Sequence, residues 1–295
     1  MTWLKESVTV KLAFIGFLTL ILLIPSSMIS NLVQERAARQ AEAMDNISDQ
    51  WSGKQLIQGP VLVIPYKHTS KESDNNGKLV DKEVTDQLFI LPEVLKINAD
   101  ISTRTLHRGI FQSVVYNSKI AVNGCFSKVD LAKAGLSGDQ LQWDKARVAF
   151  SISDLKGLQT NPIITAGGLH ATADPALNER GFFSDGLQAA LDLTPYKEQT
   201  IPFSFQLDLK GSQELHFLNL GKTTEVKAAG DWGSPSFDGR YSPDERVVKD
   251  KGFSAQWKML YYNRPFPQQW TGNDTLLNSM SKSEIATFGV KLRCR

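Results

Sequence analysis

The densest group of potentially reactive side chains in the sequence is GDWGSPSFDGRY, residues 230–241. Its two carboxylates, Asp231 and Asp238, are of the type used in acid–base catalysis, but no nucleophile, base or metal ligand lies near them in sequence. Ser-Pro and Asp-Gly dipeptides favour tight turns, and aromatic rings can anchor such turns to a core. A stiff corner of a β fold is therefore favoured over a ligand-binding loop. If the segment is an interaction loop, its candidate contacts are Asp231, Trp232, Phe237, Arg240 and Tyr241.

A second candidate is ESDNNGKLVDKE, residues 72–83, which partly matches a calcium-binding EF-hand loop. Glu72 stands where that motif requires aspartate, and the flanking segments have strand patterns where an EF-hand needs helices. Asn76-Gly77 between two strands instead indicates a β-hairpin, because both residues tolerate positive φ. We therefore expect a hairpin here and no bound calcium.

The remaining motifs are weaker. GKTT, residues 221–224, resembles the end of a phosphate-binding loop, but His216 stands where that loop needs glycine, so a turn into a strand is the better interpretation. The four histidines never pair at ligand spacing, and Cys125 and Cys294 form no metal-binding pattern. The sequence thus predicts no catalytic, cofactor or metal residues. A site assembled between distant strands is left open.

Composition narrows the function classes. The chain has 295 residues, of which 41% are hydrophobic, and this is enough for a sizeable core. Its 33 basic and 31 acidic residues nearly cancel, so nucleic acid is not an expected partner.

An apolar segment near the N-terminus carries no charged side chain from Leu12 to Gln34. As a helix it would span about 30 Å, the thickness of a bilayer's hydrocarbon core. We expect a transmembrane helix over residues 12–34, continued by a juxtamembrane helix over residues 35–52, where small and apolar residues recur at helical spacing. A cleaved signal peptide is the alternative.

The flanking charges predict the orientation. Lys5 and Lys11 outweigh Glu6 before the apolar segment, whereas acidic residues outnumber basic ones just after it. The basic flank is expected in the cytoplasm. This assigns residues 1–11 to a cytoplasmic N-terminus, residues 53–290 to a periplasmic β-rich domain and residues 291–295 to a short basic tail. The expected location is the bacterial inner membrane.

The chain after Gly53 has the pattern of a mainly β fold. Short apolar or alternating runs are broken by turn residues, and in FSFQLDL the odd-numbered residues from Phe203 to Leu209 would share one buried face. We expect an antiparallel, sandwich-like domain. DLAKAGLSGDQLQWD and FSDGLQAALDL are expected to be short helices or connections. The candidate strands are PVLVIPY, DQLFILP, VLKINADIS, SKIAVNGCF, ARVAFSIS, IPFSFQLDL, ELHFLNL, TEVKAAG and FSAQWKMLYY.

Blocks of residues along nearly the whole chain carry a resemblance to a known family. In order they are GPVLVIPY, LPEVLKI, HRGIFQSVVYNSKIAVNGCF, SISDLKGLQTNP, GLQAALDL, IPFSFQLDLKGSQELHFLNLGKTTEV, GDWGSPSFDGRYSPDERVV, KGFSAQW and NRPFPQQW. They resemble the CreD family of bacterial inner-membrane proteins. The resemblance implies an N-terminal membrane helix, a large periplasmic β-rich domain and several further membrane helices.

The sequence departs from that pattern after IATFGV, where the family continues into apolar spans, and no second run of membrane length follows Val33. We expect a shortened member of the family, either a natural variant or a truncated product. For function, the resemblance implies an envelope-related response under two-component control, linked to colicin tolerance and envelope integrity. It implies no catalytic residue.

These observations predict a non-enzymatic membrane protein whose partners are the lipid bilayer and an envelope protein. The alternative is an extracytoplasmic enzyme or metal-dependent module with a site between strands. An exposed apolar patch would favour the contact protein, whereas a cleft with ionisable groups of perturbed pKa would favour the enzyme. The oligomeric state is left open.

Overall fold

The computed structural model describes residues 8–73, 79–176, 183, 186–264, 267–272 and 287–292. A long helix, α1 (Val8–Trp51), leads into a domain built mainly of strands, with one further short helix, α2 (Leu131–Ala134). This confirms the predicted fold class. Short 3-10 helices occur at Trp143–Lys145, Leu155–Gly157, Thr194–Tyr196 and Tyr261–Asn263.

Helix α1 joins the predicted transmembrane and juxtamembrane segments into one continuous element of 44 residues that includes Pro25. Every residue from Val8 to Glu42 is exposed, and within the helix Ala43 and Ile47 are buried. It is a helix long and apolar enough to cross a membrane. The apolar part of α1 therefore has no partner surface within the described part of this chain.

Sheet A contains nine of the described strands. A path runs β13-β17-β11-β1-β5-β9-β8, and β2 extends it by pairing with β1 and β16. The bounds are β1 (Gln55–Ser73), β2 (Leu79–Ile90), β5 (Ala146–Ile152), β8 (Asp174–Ala176), β9 (Gly186–Leu191), β11 (Glu214–Leu218), β13 (Pro235–Gly239), β16 (Gln269–Thr271) and β17 (Thr287–Leu292).

Sheet B contains eight of the described strands in the order β14-β15-β12-β3-β4-β10-β6-β7. The bounds are β3 (Pro92–Arg108), β4 (Phe111–Phe126), β6 (Ile163–Ala166), β7 (Leu169–Thr172), β10 (Ile201–Ser212), β12 (Thr223–Gly230), β14 (Glu245–Lys249) and β15 (Gly252–Leu260).

The main core lies between the two sheets. Phe203, Phe205, Leu207 and Leu209 of β10 are all buried, as their alternation predicts. Phe205 stacks on Phe150 of sheet A at a centroid distance of 4.9 Å. The sandwich-like arrangement thus rests on apolar side chains that alternate along strands of both sheets.

All nine candidate strand segments lie wholly or mostly in strands. Each sheet is mixed, because β1 pairs with β11 and β3 pairs with β12 in parallel. Parallel neighbours require a long crossover, so they are invisible to local sequence patterns. The other pairs along the two sheets are antiparallel, as predicted.

Three local predictions are corrected. Gly186–Leu191, expected as a helix or connection, is strand β9, because pairing with β5 outweighs the helix propensity of its Ala and Leu residues. Residues 235–239 of the presumed corner are strand β13. Lys291 and Leu292 belong to β17 rather than to a basic tail, whose remaining residues lie outside the described ranges, together with Cys294.

The predicted hairpin at residues 72–83 is confirmed in its strands. β1 and β2 pair antiparallel from Leu62 and Ile90 to Ser73 and Leu79, whereas residues 74–78 lie outside the described ranges. The GKTT segment forms a turn into β12, in which the Gly221 amide donates to the Thr224 hydroxyl at 3.0 Å. The described residues on either side of 74–78 are strands, where an EF-hand needs helices.

The C-terminal end of α1 is attached to sheet B. The Ser48 and Ser212 hydroxyls lie 2.9 Å apart, and the Trp51 indole N–H donates to the Tyr116 carbonyl at 3.4 Å. Arg104 and Lys210 place their cationic groups 4.6 and 4.7 Å from the Trp51 ring centroid. These contacts hold Trp51 through hydrogen bonding and cation–π attraction.

A polar network fixes the chain immediately after the helix. The Asp154 carboxylate accepts hydrogen bonds from the Ser52 hydroxyl at 3.0 Å and the Gly53 amide at 2.9 Å. Partial burial alone would raise the pKa of Asp154, but these bonds outweigh it and the pKa is lowered. Gln55 reaches the same network from β1 by donating to the backbone carbonyls of Asp154 and Lys210. We call the network of Ser52, Gly53, Gln55 and Asp154 the helix joint.

Replacing Asp154 by alanine should loosen the helix joint. The Gly53 amide and Ser52 hydroxyl would lose a charged acceptor, with a cost on the order of 1 kcal/mol after allowing for partial exposure. Hydrogen exchange of full-length protein in detergent should show faster exchange around residues 48–56. Asp192→Ala is the matched control, since that carboxylate accepts from Thr194 in its own turn. Equal exchange in both variants would contradict the role of Asp154.

Candidate functional site in the described chain

The segment at residues 230–241 is tied to both sheets. Asp231 accepts hydrogen bonds from the backbone N–H and hydroxyl of Thr103 at 2.7 and 2.8 Å, which joins the segment to sheet B. Asp238 lies in β13 of sheet A. The two carboxylates are thus engaged with different sheets and do not form the acid–base pair considered from the sequence.

The aromatic residues of this segment pack inward. Trp232, Phe237 and Tyr241 are partly buried against the main core, as the stiff-corner interpretation expects. Phe237 meets the Trp257 ring edge-on at 5.8 Å, and the Trp257 indole N–H donates to the Tyr241 carbonyl at 3.2 Å. The Tyr241 hydroxyl donates to the Asn263 carbonyl at 2.6 Å.

Arg240, the last of the five candidate contacts, is exposed beyond the end of β13, and its backbone N–H donates to the Thr287 carbonyl at 2.8 Å. Gly239 before it ends the strand with φ +99°, a conformation that glycine adopts without strain. The candidate interaction loop is therefore a partly stranded corner held by its own side chains. Its proposed contact with a partner stays a prediction.

A charged cluster lies beside this corner, on the face of sheet A opposite the main core, because Leu215 and Phe217 on either side of His216 belong to that core. His216 Nε2 lies 2.7 Å from an Asp238 carboxylate oxygen, and Lys291 Nζ lies 3.8 Å from the other oxygen. Lys291 also contacts Glu214, which pairs with Lys54 at 3.0 Å. We call these five residues the sheet A cluster.

Strand register brings His216 and Asp238 together. His216 lies opposite Gly289 of β17, and Gly289 lies opposite Asp238 of β13. Directly opposite residues share one face of a sheet, so the two side chains meet across the intervening strand. A Cβ at position 289 would lie 2.5 Å from the His216 ring, so glycine leaves the space for this contact.

Electrostatics stabilise the cluster. Burial alone would raise the pKa of Glu214, but hydrogen bonds from Lys291 and Lys54 and their positive charges outweigh it, and the pKa is lowered. Glu214 is therefore ionised and holds both lysines near it. The neighbouring Tyr116, whose hydroxyl donates to the Glu214 carbonyl at 2.8 Å, has its pKa raised by burial and by the Glu214 charge.

The chemistry that the sheet A cluster could perform is limited to proton transfer by His216. A carboxylate bonded to one ring nitrogen of histidine orients the imidazole, an arrangement used in general acid–base catalysis. The side chains of His216 and Asp238 keep 18% and 37% of their surface exposed, so solutes can reach them. Within the described ranges no three His, Cys, Asp or Glu side chains converge as a metal site.

Sequence reasoning treated His216 as a lone histidine and missed this cluster. Four of its members lie in three strands, Lys54 lies just before β1, and only strand register would have revealed the contacts. Two other histidines also have partners: His68 lies 3.0 Å from Asp86, and His170 lies 2.8 Å from the Thr165 hydroxyl.

Comparison with known proteins decides the family. The family model described as "Inner membrane protein CreD" matches residues 7–294. This chain belongs to the CreD family. Over 276 residues it is 26% identical to the inner membrane protein CreD of Escherichia coli (strain K12), a match that covers 92% of this chain. The match covers 60% of the Escherichia coli protein, so this chain spans less than two thirds of that relative.

Among solved structures, the M1 zinc metallopeptidase of Deinococcus radiodurans aligns over 58% of this CreD-family chain and 38% of its own. The sequence identity is 8% and the TM-score is 0.25, and both values are too low to indicate a common fold or function. The assignment to the CreD family therefore rests on sequence similarity. Together with helix α1, this assignment supports a location in the inner membrane.

Two tryptophans of this CreD-family protein should differ in their contribution to stability. Trp257 is 1% exposed, and its replacement by alanine should cost about 3–5 kcal/mol. Trp232 is only partly buried and its indole N–H is buried without a described hydrogen-bond partner, so Trp232→Ala should cost less, about 1–2 kcal/mol. Urea unfolding of both variants measures the difference. Equal losses would show that the corner contributes as much as the core.

The Glu214 carboxylate should make stability depend on acid pH. Its folded pKa lies below the ordinary value of 4.5, so its contribution is complete above about pH 4.5 and is lost as the pH falls through the folded pKa. Glu214→Gln should lower stability at pH 7 by roughly 1–2 kcal/mol and flatten the acid dependence. Urea unfolding between pH 3 and pH 7 tests this, and Glu198→Gln, at an exposed ion pair, is the control. An unchanged acid slope in Glu214→Gln would contradict the assignment.

Proposed function

We propose that this chain is a non-enzymatic inner-membrane protein that holds its β domain in the periplasm and acts in envelope integrity or the envelope stress response. The observation that carries the proposal is the division of α1 into two parts. Its apolar part is exposed along its whole length, whereas its C-terminal turns are attached to sheet B through Ser48 and Trp51, and the helix joint holds the residues that follow. Such a helix suits a membrane anchor rigidly attached to an external domain.

The charges beside the apolar run support the periplasmic orientation. Lys11 precedes the uncharged stretch, and Glu35, Glu42, Asp45 and Asp49 follow it, opposed by Arg36 and Arg39. Basic residues flanking a membrane helix are retained in the cytoplasm. The β domain, which follows the acidic flank, then lies on the other side of the inner membrane.

An exposed sheet edge supports action through protein contacts. All five residues of β14, including Val247 and Val248, are exposed, and the strand is the last described strand at one edge of sheet B. Unpaired strand edges offer backbone donors and acceptors to another chain. A periplasmic partner with an extended segment is the kind of protein that fits this edge.

The His216–Asp238 pair favours one alternative, an extracytoplasmic enzyme that uses the oriented imidazole as a base. His216→Gln separates the two functions. In a strain that depends on this protein for growth under envelope stress, an enzyme would lose activity with this variant, whereas the proposed contact protein would complement fully. Val247→Asp in β14 should give the reverse result, with reduced complementation at unchanged protein level.

The anchored arrangement is tested first in cells. We expect full-length protein to remain in the inner-membrane fraction with its N-terminus intact. Protease should cleave the domain after Gly53 only when the outer membrane has been opened. Soluble protein lacking its first residues would show that the apolar segment is a cleaved signal. Protection of the domain in spheroplasts, with cleavage only after their lysis, would place it in the cytoplasm.

A further inference from the structure

The hairpin between β3 and β4 ends in a feature unusual for a soluble loop. Its two-residue turn consists of Gly109, with φ +60°, and Ile110, which is 90% exposed. Polar residues and glycine are the usual choices at exposed turns, and a β-branched apolar residue gains nothing there in water. A single exposed apolar residue is common on protein surfaces. Whether Ile110 contacts another surface therefore depends on where the hairpin tip lies in the molecule.

The position follows from the contacts between α1 and β4. Tyr116 of β4 lies beside Trp51 at the end of α1, whereas Phe111 and Gln112 line a cavity of about 630 Å³ with Ala37 and Ala41. Ten helical residues from Ala41 to Trp51 span about 15 Å, and four strand residues from Gln112 to Tyr116 span about 13 Å. The start of β4 therefore runs beside α1, and its tip points toward the apolar part of the helix.

The tip reaches the level at which the apolar segment ends. Ala37, which lines the same cavity as Ile110 and Phe111, lies four residues after Val33, a rise of about 6 Å along the helix. The headgroup layer on each side of a bilayer is about 5–8 Å thick. A helix crossing the membrane with its apolar run would thus hold Ile110 within the headgroup layer.

The charges at this level fit a lipid surface. Arg108 immediately precedes the tip, and Arg36 lies on the helix near the same level. Glu35 and Arg39 neutralise each other at 2.6 Å. Glu42 lies about 9 Å farther along the helix, away from the apolar run. Asp231, Asp250 and Lys251 line a pocket with Gln112 and together carry one net negative charge, which is less than the two positive charges of Arg36 and Arg108. The excess near the tip is positive, which suits anionic headgroups.

We propose that the β3–β4 hairpin tip is a second membrane contact, in which Ile110 inserts among the lipid headgroups on the domain's side of the membrane and Arg108 binds their phosphates. The proposal rests on the membrane anchoring in the proposed function. With the helix and the tip both held, the domain has a fixed tilt above the bilayer, and β14 is presented at a fixed height.

Site-specific fluorescence quenching tests the proposal. In full-length protein with Cys125 and Cys294 replaced by alanine, single cysteines at positions 33, 112 and 262 are labelled in turn. A label at position 112 lies beside the tip and leaves Ile110 and Arg108 unchanged. Position 262 is the distant reference, because Tyr262 is 93% exposed and lies beyond the opposite end of sheet B. The protein is reconstituted in vesicles of phosphatidylethanolamine and phosphatidylglycerol that contain a headgroup-nitroxide lipid.

We expect strong quenching at position 33, and at least about twofold more quenching at position 112 than at position 262. Ile110→Asp should reduce the quenching at position 112 to that at position 262, whereas Ile163→Asp, at an exposed isoleucine of β6, should change nothing. Quenching at position 33 with equal low values at 112 and 262 overturns the hairpin contact and leaves the anchor intact. Absence of quenching at position 33 overturns the anchoring itself.

Discussion

The attachment of α1 to the β domain is the constraint on which the rest of this structure depends. A helix that is exposed over its apolar length has no reason to keep a fixed direction unless its end is held. Trp51 is held by hydrogen bonding to sheet B and by two cations, and Asp154 binds the backbone and side chain that follow it. Fixing the helix at this point orients every loop of the domain relative to the membrane.

The two sheets make such a joint possible. Ser212 at the end of β10 and Tyr116 in β4 contact the last turn of α1, and Gln55 at the start of β1 donates to the hydroxyl of Ser52 just after it, so both sheets contribute. Gly157 leaves room for Gln55 and Ser52, because a Cβ there would lie 2.6 Å from the Gln55 amide nitrogen and 2.9 Å from the Ser52 hydroxyl. The close approach that strengthens the joint therefore depends on the absence of a side chain at this position.

The sheet A cluster also depends on a glycine that lets two side chains come close together. Gly289 separates two strands without filling the space between His216 and Asp238, and Lys291 links that pair to Glu214. Opposite charges in a partly buried setting hold one another in place, so the cluster can act as a structural link between the three strands. The same geometry leaves an oriented imidazole, which is why the enzyme alternative has a definite residue to test.

The sequence by itself determined the apolar helix, the β class and most strand positions, because hydrophobic periodicity is local and survives in any tertiary context. It also predicted that Trp232 and Phe237 pack on the core. Tertiary structure decided the rest. The parallel pairs β1–β11 and β3–β12, the strand at residues 186–191 and the His216–Asp238 contact all join residues far apart in sequence. Pairing register and burial against a distant strand outweigh local propensity, and a single sequence does not display either.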